Sequence, residues 1–142
     1  MKHMALDYGE KRTGIAVSDS GGTTAFPYAT IIMRGKDVFF AELLKLAEEE
    51  RVEVFVLGLP LRENGEESEM TRRARNTAAR LKRRSCLPVY LMPENLSSHE
   101  AEQRLREAGC KDGKLKEKLD QMAAAVILES FLRLPEEKRL LA

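Results

Sequence analysis

The order of apolar and polar positions along the chain predicts strands first, and then an alternation of helices and strands. Apolar segments at 4–6 and 13–18 flank the turn-like sequence YGEKR, and a third segment at 28–33 follows Gly21–Gly22 and the strand breaker Pro27. Short β-tolerant segments separated by glycine-containing turns are typical of hairpins. The chain is therefore predicted to open with three strands that follow one another in an antiparallel meander.

A different pattern begins at residue 37. Apolar residues recur at helical spacing in 37–51, with Asp37 as the candidate N-cap, and the unbroken apolar segment VEVFVLGLP at 52–60 is typical of a strand buried on both faces. A helix-compatible segment at 67–84 then leads into LPVYLMPE, a second buried strand that ends at Glu94. This alternation predicts parallel strands joined by helices.

Two helices are predicted in the last third of the chain. Ser97, Glu100 and Gly109 provide start and stop signals for a helix in LSSHEAEQRLREAG, and an apolar stripe from Leu115 to Phe131 predicts the last one. The charged tail PEEKRLLA is predicted to be a frayed end. Because crossover connections are right-handed, the later strands return beside the first strand, which is expected at the centre of a mixed sheet.

Composition narrows the class of protein without identifying a partner. The chain has 142 residues, 43% of them hydrophobic and 33% charged, with a net charge of +1, which predicts one domain over residues 1–142. Its apolar segments are far shorter than a membrane span of ~20 residues, so no membrane partner is expected. Cys86 and Cys110 have no disulfide or zinc spacing. A cytoplasmic protein is the expectation.

Three acidic residues are candidates for a catalytic site. Asp7 ends the central strand, Glu94 ends a parallel strand, and Asp120 lies beside the apolar stripe of the last helix. Ligands of open α/β sheets bind beyond the carboxyl ends of parallel strands. Carboxylates that converge there without a Lys or Arg close in sequence would repel one another unless they held a cation such as Mg²⁺ or Mn²⁺, an arrangement that supports phosphodiester hydrolysis. Taken singly, each acid is also compatible with a turn, strand-end or solvated role.

A basic surface is predicted on the helix at 67–84. Residues 71–93 contain no acid, and at about 100° per residue five arginines fall within one third of the helix circumference, opposite Ala74, Ala78 and Leu81. We call these five the basic stripe: Arg72, Arg73, Arg80, Arg83 and Arg84. A stripe of this kind can bind phosphates, as can Lys11 and Arg12 at the first hairpin tip, although pairing with acids such as Glu48–Glu50 is an equally good explanation.

The motifs that carry these residues resemble those of the YqgF/RuvX family of RNase H-like nucleases, described as Holliday junction resolvases and as pre-16S rRNA nucleases. LDYGEKRTGIAVSD resembles the opening motif of the family, VLGLPLRENGEES its second motif and LDQMAAAVILESFL its closing helix, so that nearly the whole chain matches. The resemblance implies an RNase H-like α/β fold, here a mixed five-stranded sheet of order 3-2-1-4-5 flanked by helices. It also implies that Asp7 and Asp120 are metal-binding carboxylates, together with the glutamate of a D-E-R-L-[TS]-S segment.

That segment departs from the family pattern. It reads PENLSS, in which Glu94 is kept while Pro93 and Asn95 replace the aspartate and the arginine of the family. The change removes one carboxylate and one phosphate contact beside the expected site. Glu94 is the preferred third ligand, and Glu63, which follows the preceding strand, is the alternative.

Three functional hypotheses follow from these observations. The preferred one is a divalent-metal-dependent endonuclease acting on structured nucleic acid, expected to process the 5′ end of precursor 16S rRNA, with a Holliday junction resolvase as the DNA-directed alternative. The second is a non-catalytic nucleic-acid-binding module whose site has degenerated. The third is an actin-like ATPase relative, which the short chain argues against because it leaves no room for a second lobe. A monomer or weak homodimer is expected.

Overall fold

The computed structural model of the protein describes residues 1–94 and 112–142. The described elements are, in chain order, β1 (His3–Asp7), β2 (Arg12–Ser18), β3 (Ala25–Ile32), α1 (Lys36–Glu49), β4 (Val54–Pro60), α2 (Glu69–Ser85), β5 (Val89–Glu94), α3 (Asp112–Arg133), a 3₁₀ helix (Glu136–Lys138) and β6 (Leu140–Leu141). The helix predicted at 97–109 lies outside the described residues.

A single mixed sheet organises the fold, with strand order β3-β2-β1-β4-β5-β6. Strands β1 and β2, and β2 and β3, pair antiparallel, whereas β1, β4 and β5 run parallel to one another. The predicted α/β class, the order of the first five strands and the central place of β1 are confirmed. Within residues 1–94 and 112–142, however, the sheet has six strands and not the five that were predicted.

The sixth strand corrects the prediction of a frayed tail. Residues Leu140 and Leu141 pair antiparallel with β5, the Ala142 amide donates to the Val89 carbonyl (2.8 Å), and Lys82 Nζ donates to the Ala142 carbonyl (2.9 Å). Both leucine side chains remain exposed. Backbone hydrogen bonds to the open edge of β5 hold the tail, and a two-residue strand with no buried face leaves no hydrophobic pattern in the sequence.

Helices cover both faces of the sheet. Helices α1 and α2 pack on the face that carries Met4 and Leu6, while α3 packs on the opposite face against Ala5 and Ala16. The small alanines let α3 lie close to the central strands. None of the helices in the described part of the chain combines the length and hydropathy that a bilayer crossing requires.

Two local predictions were wrong. The N-cap of α1 is Gly35, which has no side chain for capping, and Asp37 lies in the first turn, where it binds Arg84 (3.0 Å). Pro27 does not precede the third strand but lies within β3, which is tolerated because β3 is an edge strand and its outward-facing backbone needs no partner.

The N-cap of α2 is Ser68, whose hydroxyl accepts from the Thr71 amide, while Thr71 Oγ1 donates to the Pro60 carbonyl.

Candidate active site at the carboxyl edge of the sheet

The carboxyl ends of the three parallel strands lie along one edge of the sheet. Strand β1 ends at Asp7, β4 at Pro60 and β5 at Glu94, and the last two residues are register partners. Because β1 lies between β2 and β4, Asp7 occupies the middle of this edge. The backbone topology therefore brings two of the predicted acidic positions to the same edge, separated by one strand.

Gly14 brings the third position, Asp120, to Asp7. Asp7 and Gly14 are paired across β1 and β2, and a Cβ on Gly14 would lie 1.8 Å from the Asp120 carbonyl oxygen and 2.8 Å from the Asp120 Cβ. The backbone of α3 thus lies directly on the backbone of β2 at the residue opposite Asp7. Sequence reasoning did not use Gly14, although a glycine inside a strand is a known signal of close backbone approach.

The two aspartates also share one face of the sheet. Successive residues of a strand alternate between faces, and Asp7 follows two residues after Ala5, which packs against α3. Both aspartates are half-buried, as predicted for Asp120, whose side chain is 21% exposed. Asp7 and Asp120, which are 113 positions apart in the chain, are thereby placed together at the site.

Arg12 binds one of these carboxylates. Its Nε donates to Asp120 Oδ2 at 2.8 Å, with 45% of the arginine side chain exposed. The prediction that no Lys or Arg lies near these acids is wrong, because Lys118 lies two residues before Asp120 and β2 brings Arg12 into contact with the Asp120 carboxylate. Arg12 therefore neutralises part of the acidic site, while Lys11 lies exposed at the hairpin tip.

The donors present suit a hard divalent cation. Two half-buried carboxylates at one strand end offer oxygen ligands of the kind that Mg²⁺ and Mn²⁺ prefer, and Arg12 is exposed enough to move aside. Within residues 1–93 and 118–142, no group of three His, Cys, Asp or Glu side chains is close enough to hold a metal ion. Glu94 as the third ligand therefore stays a prediction.

The basic stripe lies on α2, which begins beyond the carboxyl end of β4. Ala74, Ala78 and Leu81 are buried, as the helical pattern predicted. Three of the arginines are paired with acids: Arg72 with Glu69, Arg73 with Glu10, and Arg84 with Asp37. These acids are not the Glu48–Glu50 cluster named as the alternative partner.

Glu69 was not predicted as a partner of the basic stripe, because it lies just before the acid-free segment that begins at Thr71. It lies on the same helical face as the stripe, and its hydrogen bond from Arg72 holds the pKa of the Glu69 carboxyl below its ordinary value. In the part of the chain that the structure describes, Arg80 and Arg83 form no ion pair. The charge available to a ligand is thus concentrated at these two arginines.

Comparisons with known proteins agree with this architecture. A family profile described as "RuvX: Holliday junction resolvase" matches residues 1–134. Two relatives are named "Putative pre-16S rRNA nuclease". The protein from Nitratidesulfovibrio vulgaris strain Miyazaki F is 57% identical over 98% of this chain and 98% of its own length. The protein from Oleidesulfovibrio alaskensis strain G20 is 56% identical over 99% of this chain and 97% of its own length.

A solved structure has a similar fold. Thermus thermophilus RuvC in complex with a Holliday junction substrate superposes with a TM-score of 0.57 at 13% identity, covering 100% of both chains. At this identity the likeness concerns the fold alone. The RNase H-like class expected from the motifs is thereby confirmed.

Proposed function

The chain belongs to the RuvX family and is a nuclease, a hydrolase of phosphodiester bonds, and we propose that it cuts structured nucleic acid with Mg²⁺ or Mn²⁺ held by Asp7, Glu94 and Asp120. The observation that supports the proposal is the contact at Gly14, where the α3 backbone at Asp120 lies against the residue that pairs with Asp7. The strand end at Glu94 lies on the same edge of the sheet as Asp7, with β4 between them.

The chain supplies ligands and charge, and the metal supplies the reactivity. When bound, such ions activate a water molecule and stabilise the leaving oxygen of a phosphodiester. Asp7 and Asp120 would hold the cation at the strand edge, and their partial burial restricts the positions that it can take. Arg12 would exchange Asp120 for the scissile-strand phosphate, since a guanidinium binds either anion through charge-assisted hydrogen bonds.

The substrate we propose is the 5′ end of precursor 16S rRNA. The support is the name of the relatives that are 56–57% identical over nearly their whole length. A four-way DNA junction is the second candidate, because the matching family profile is described as a Holliday junction resolvase. Contacts to the 2′-hydroxyl are what distinguish an RNA strand from a DNA strand, so cleavage has to be compared on both substrates.

Cleavage assays on both substrates test the proposal. A 5′-extended rRNA precursor and a synthetic four-way junction would be incubated with the protein over a range of Mg²⁺ and Mn²⁺ concentrations, with Asp7→Asn and Asp120→Asn as the site variants. Glu49→Gln is the matched control, since Glu49 is an exposed carboxylate at the end of α1. We expect metal-dependent cleavage of the rRNA by the unmodified protein and by the control only.

Each outcome separates one hypothesis from the others. Cleavage without metal, or full activity of Asp7→Asn, contradicts the carboxylate mechanism. Preferential cleavage of the junction would replace the rRNA assignment by the DNA-directed one. Tight binding of either substrate without cleavage at any metal concentration would indicate the non-catalytic module that the PENLSS segment allows.

We further propose that residues 1–142 act as one nuclease domain in the cytoplasm, as a monomer or weak homodimer. The support for a single domain is a sheet that runs from residue 3 to residue 141 with helices on both faces. Light scattering coupled to size-exclusion chromatography measures the mass, and a stable tetramer would contradict the proposal.

A further inference from the structure

A cavity lies on the face of the sheet opposite the acidic site. It has a volume of about 690 Å³ and is bounded by the first hairpin, the beginning of α1 and the first three turns of α2. This volume falls within the roughly 300–1,000 Å³ of small-ligand sites. It is large enough for one nucleotide.

The cavity begins one residue from the proposed metal site. Tyr8, which lines it, follows Asp7 directly, and the two side chains lie on opposite faces, with Tyr8 packed edge-to-face on Phe39 at 5.8 Å between ring centroids. The hairpin residue Glu10 lines the same cavity. A strand held at the acids can therefore reach the cavity by passing over the edge of the sheet at the hairpin.

The lining combines aromatic groups with positive charge. Tyr8, Phe39 and Phe40 contribute rings, of which the two phenylalanines are buried and form the floor. Four cationic side chains and two acidic ones also line it: Lys36, Arg72, Arg73, Arg80, Glu10 and Glu69. Aromatic rings beside an excess of positive charge suit a base and its phosphate, and proteins bind unpaired nucleotides through this combination.

Arg80 is the residue best placed to bind the phosphate. Arg72 and Arg73 are paired with Glu69 and Glu10, whereas Arg80 is half-buried at the cavity and forms no ion pair with the described residues. A half-buried guanidinium without an anion leaves donors available for one. Arg83 belongs to the same stripe and is likewise without an ion pair there, but it is exposed and does not line the cavity.

We propose that this cavity binds an unpaired nucleotide of the substrate strand, with the base against Tyr8 and the phosphate at Arg80. This inference rests on the proposed nuclease function and adds a requirement to it: the preferred substrate carries a single-stranded segment next to the cut. The cavity then selects strands that are unpaired there over continuous duplex, because a base stacked in a duplex has no free face to offer.

Binding measurements test this proposal independently of catalysis. Fluorescence anisotropy with Asp7→Asn in the absence of divalent metal would compare a blunt RNA duplex with the same duplex carrying a single-stranded 5′ extension. In that background, Arg80→Gln is expected to weaken binding of the extended probe about tenfold, as for the loss of one charge-assisted hydrogen bond, and to leave the blunt probe within about twofold. The matched variant Arg83→Gln is expected to affect both probes equally.

Photocrosslinking locates the base. With 5-iodouridine in the extension, we expect crosslinked peptides that contain Tyr8. Equal effects of Arg80→Gln and Arg83→Gln on both probes, or crosslinks confined to other surfaces, would overturn the proposal and leave α2 as a diffuse basic surface. Displacement of the extended probe by free uridine monophosphate at a concentration below that of the probe would also overturn the proposal. The cavity would then be a mononucleotide site.

The two proposals fail in distinguishable ways. If Asp7→Asn abolishes metal-dependent cleavage while Arg80→Gln has no selective effect on binding, only the nucleotide cavity is contradicted. If the cavity variants behave as expected but Asp7→Asn still cleaves, only the carboxylate mechanism is contradicted.

Discussion

At the scale of single residues, Gly14 determines whether the acidic site can form. The α3 backbone occupies the space that a side chain at this position would need, and the same residue pairs with Asp7. A hydrogen atom in place of Cβ thus allows two elements from opposite ends of the chain to meet. Neither aspartate could reach the other if the helix were held away from β2 by one methyl group.

Replacing Gly14 by alanine is expected to lower the free energy of unfolding by about 3 kcal/mol, because the added methyl must push the α3 backbone off β2. Gly21→Ala is the matched control, since its nearest neighbour is a side-chain oxygen of Asp19 at 3.5 Å. The control should change stability by less than about 1 kcal/mol. Urea unfolding measures both, and equal stabilities of the two variants would contradict the close contact.

Thr13 offers a second test at this scale. Its side chain is fully buried, and its hydroxyl has no hydrogen-bond partner among the described residues. Thr13→Val keeps the shape and removes the unpaired hydroxyl, so we expect the free energy of unfolding to rise by about 1 kcal/mol.

Thr13→Ser serves as the control, because it keeps the hydroxyl and loses the methyl group. It should lower stability by about 1 kcal/mol through the cavity that it leaves. A destabilised Thr13→Val would show that the hydroxyl has a partner in the folded protein.

At the scale of elements, β6 shows how backbone pairing can hold a segment without burying it. The strand adds hydrogen bonds at the edge of β5, and next to it Arg139 lies over the ring of Phe131, 4.6 Å from its centroid. The two leucines of β6 are 45% and 56% exposed, so β6 contributes to stability through its backbone hydrogen bonds and not through hydrophobic burial.

Deleting residues 140–142 is therefore expected to cost about 1–3 kcal/mol of stability, since a few backbone hydrogen bonds are lost. The double variant Leu140→Thr with Leu141→Thr keeps the backbone and should stay within about 0.5 kcal/mol of the unmodified protein. Thermal unfolding compares them. If the double variant lost as much as the deletion, side-chain packing and not backbone pairing would hold the tail.

Elements with a hydrophobic period were predictable from the sequence, and those without one were not. The apolar segment of β1 and the buried face of α2 follow from the spacing of Met4 and Leu6 and of Ala74 and Leu81. The N-cap of α1 could not be predicted, because Asp37 and Gly35 both suit a helix start and only the chain path from β3 decides between them. The strand β6 lacked any such signal.

At the scale of the whole molecule, the sheet separates the two proposed binding surfaces, which meet at one edge. Asp7 and Asp120 lie on the α3 side of the sheet, whereas the cavity and the basic stripe lie on the side of α1 and α2. The candidate acids could be read from the sequence because motifs and strand ends mark them. The ion pairs could not be predicted from the sequence, since Arg12 and Asp120 are 108 positions apart and Arg73 and Glu10 are 63 positions apart.

The proposed nuclease mechanism depends most on Asp7 and Asp120 sharing one metal ion. Mn²⁺ binding to the purified protein, followed by electron paramagnetic resonance, tests this without any substrate. We expect Asp7→Asn and Asp120→Asn each to weaken Mn²⁺ binding at least about tenfold, since a loss of this size is typical even of residues that only support a metal ligand. The control Glu49→Gln is expected to bind Mn²⁺ as the unmodified protein does. Glu94→Gln would identify the third ligand by the same loss. Unchanged Mn²⁺ affinity in both Asp7→Asn and Asp120→Asn would contradict the account.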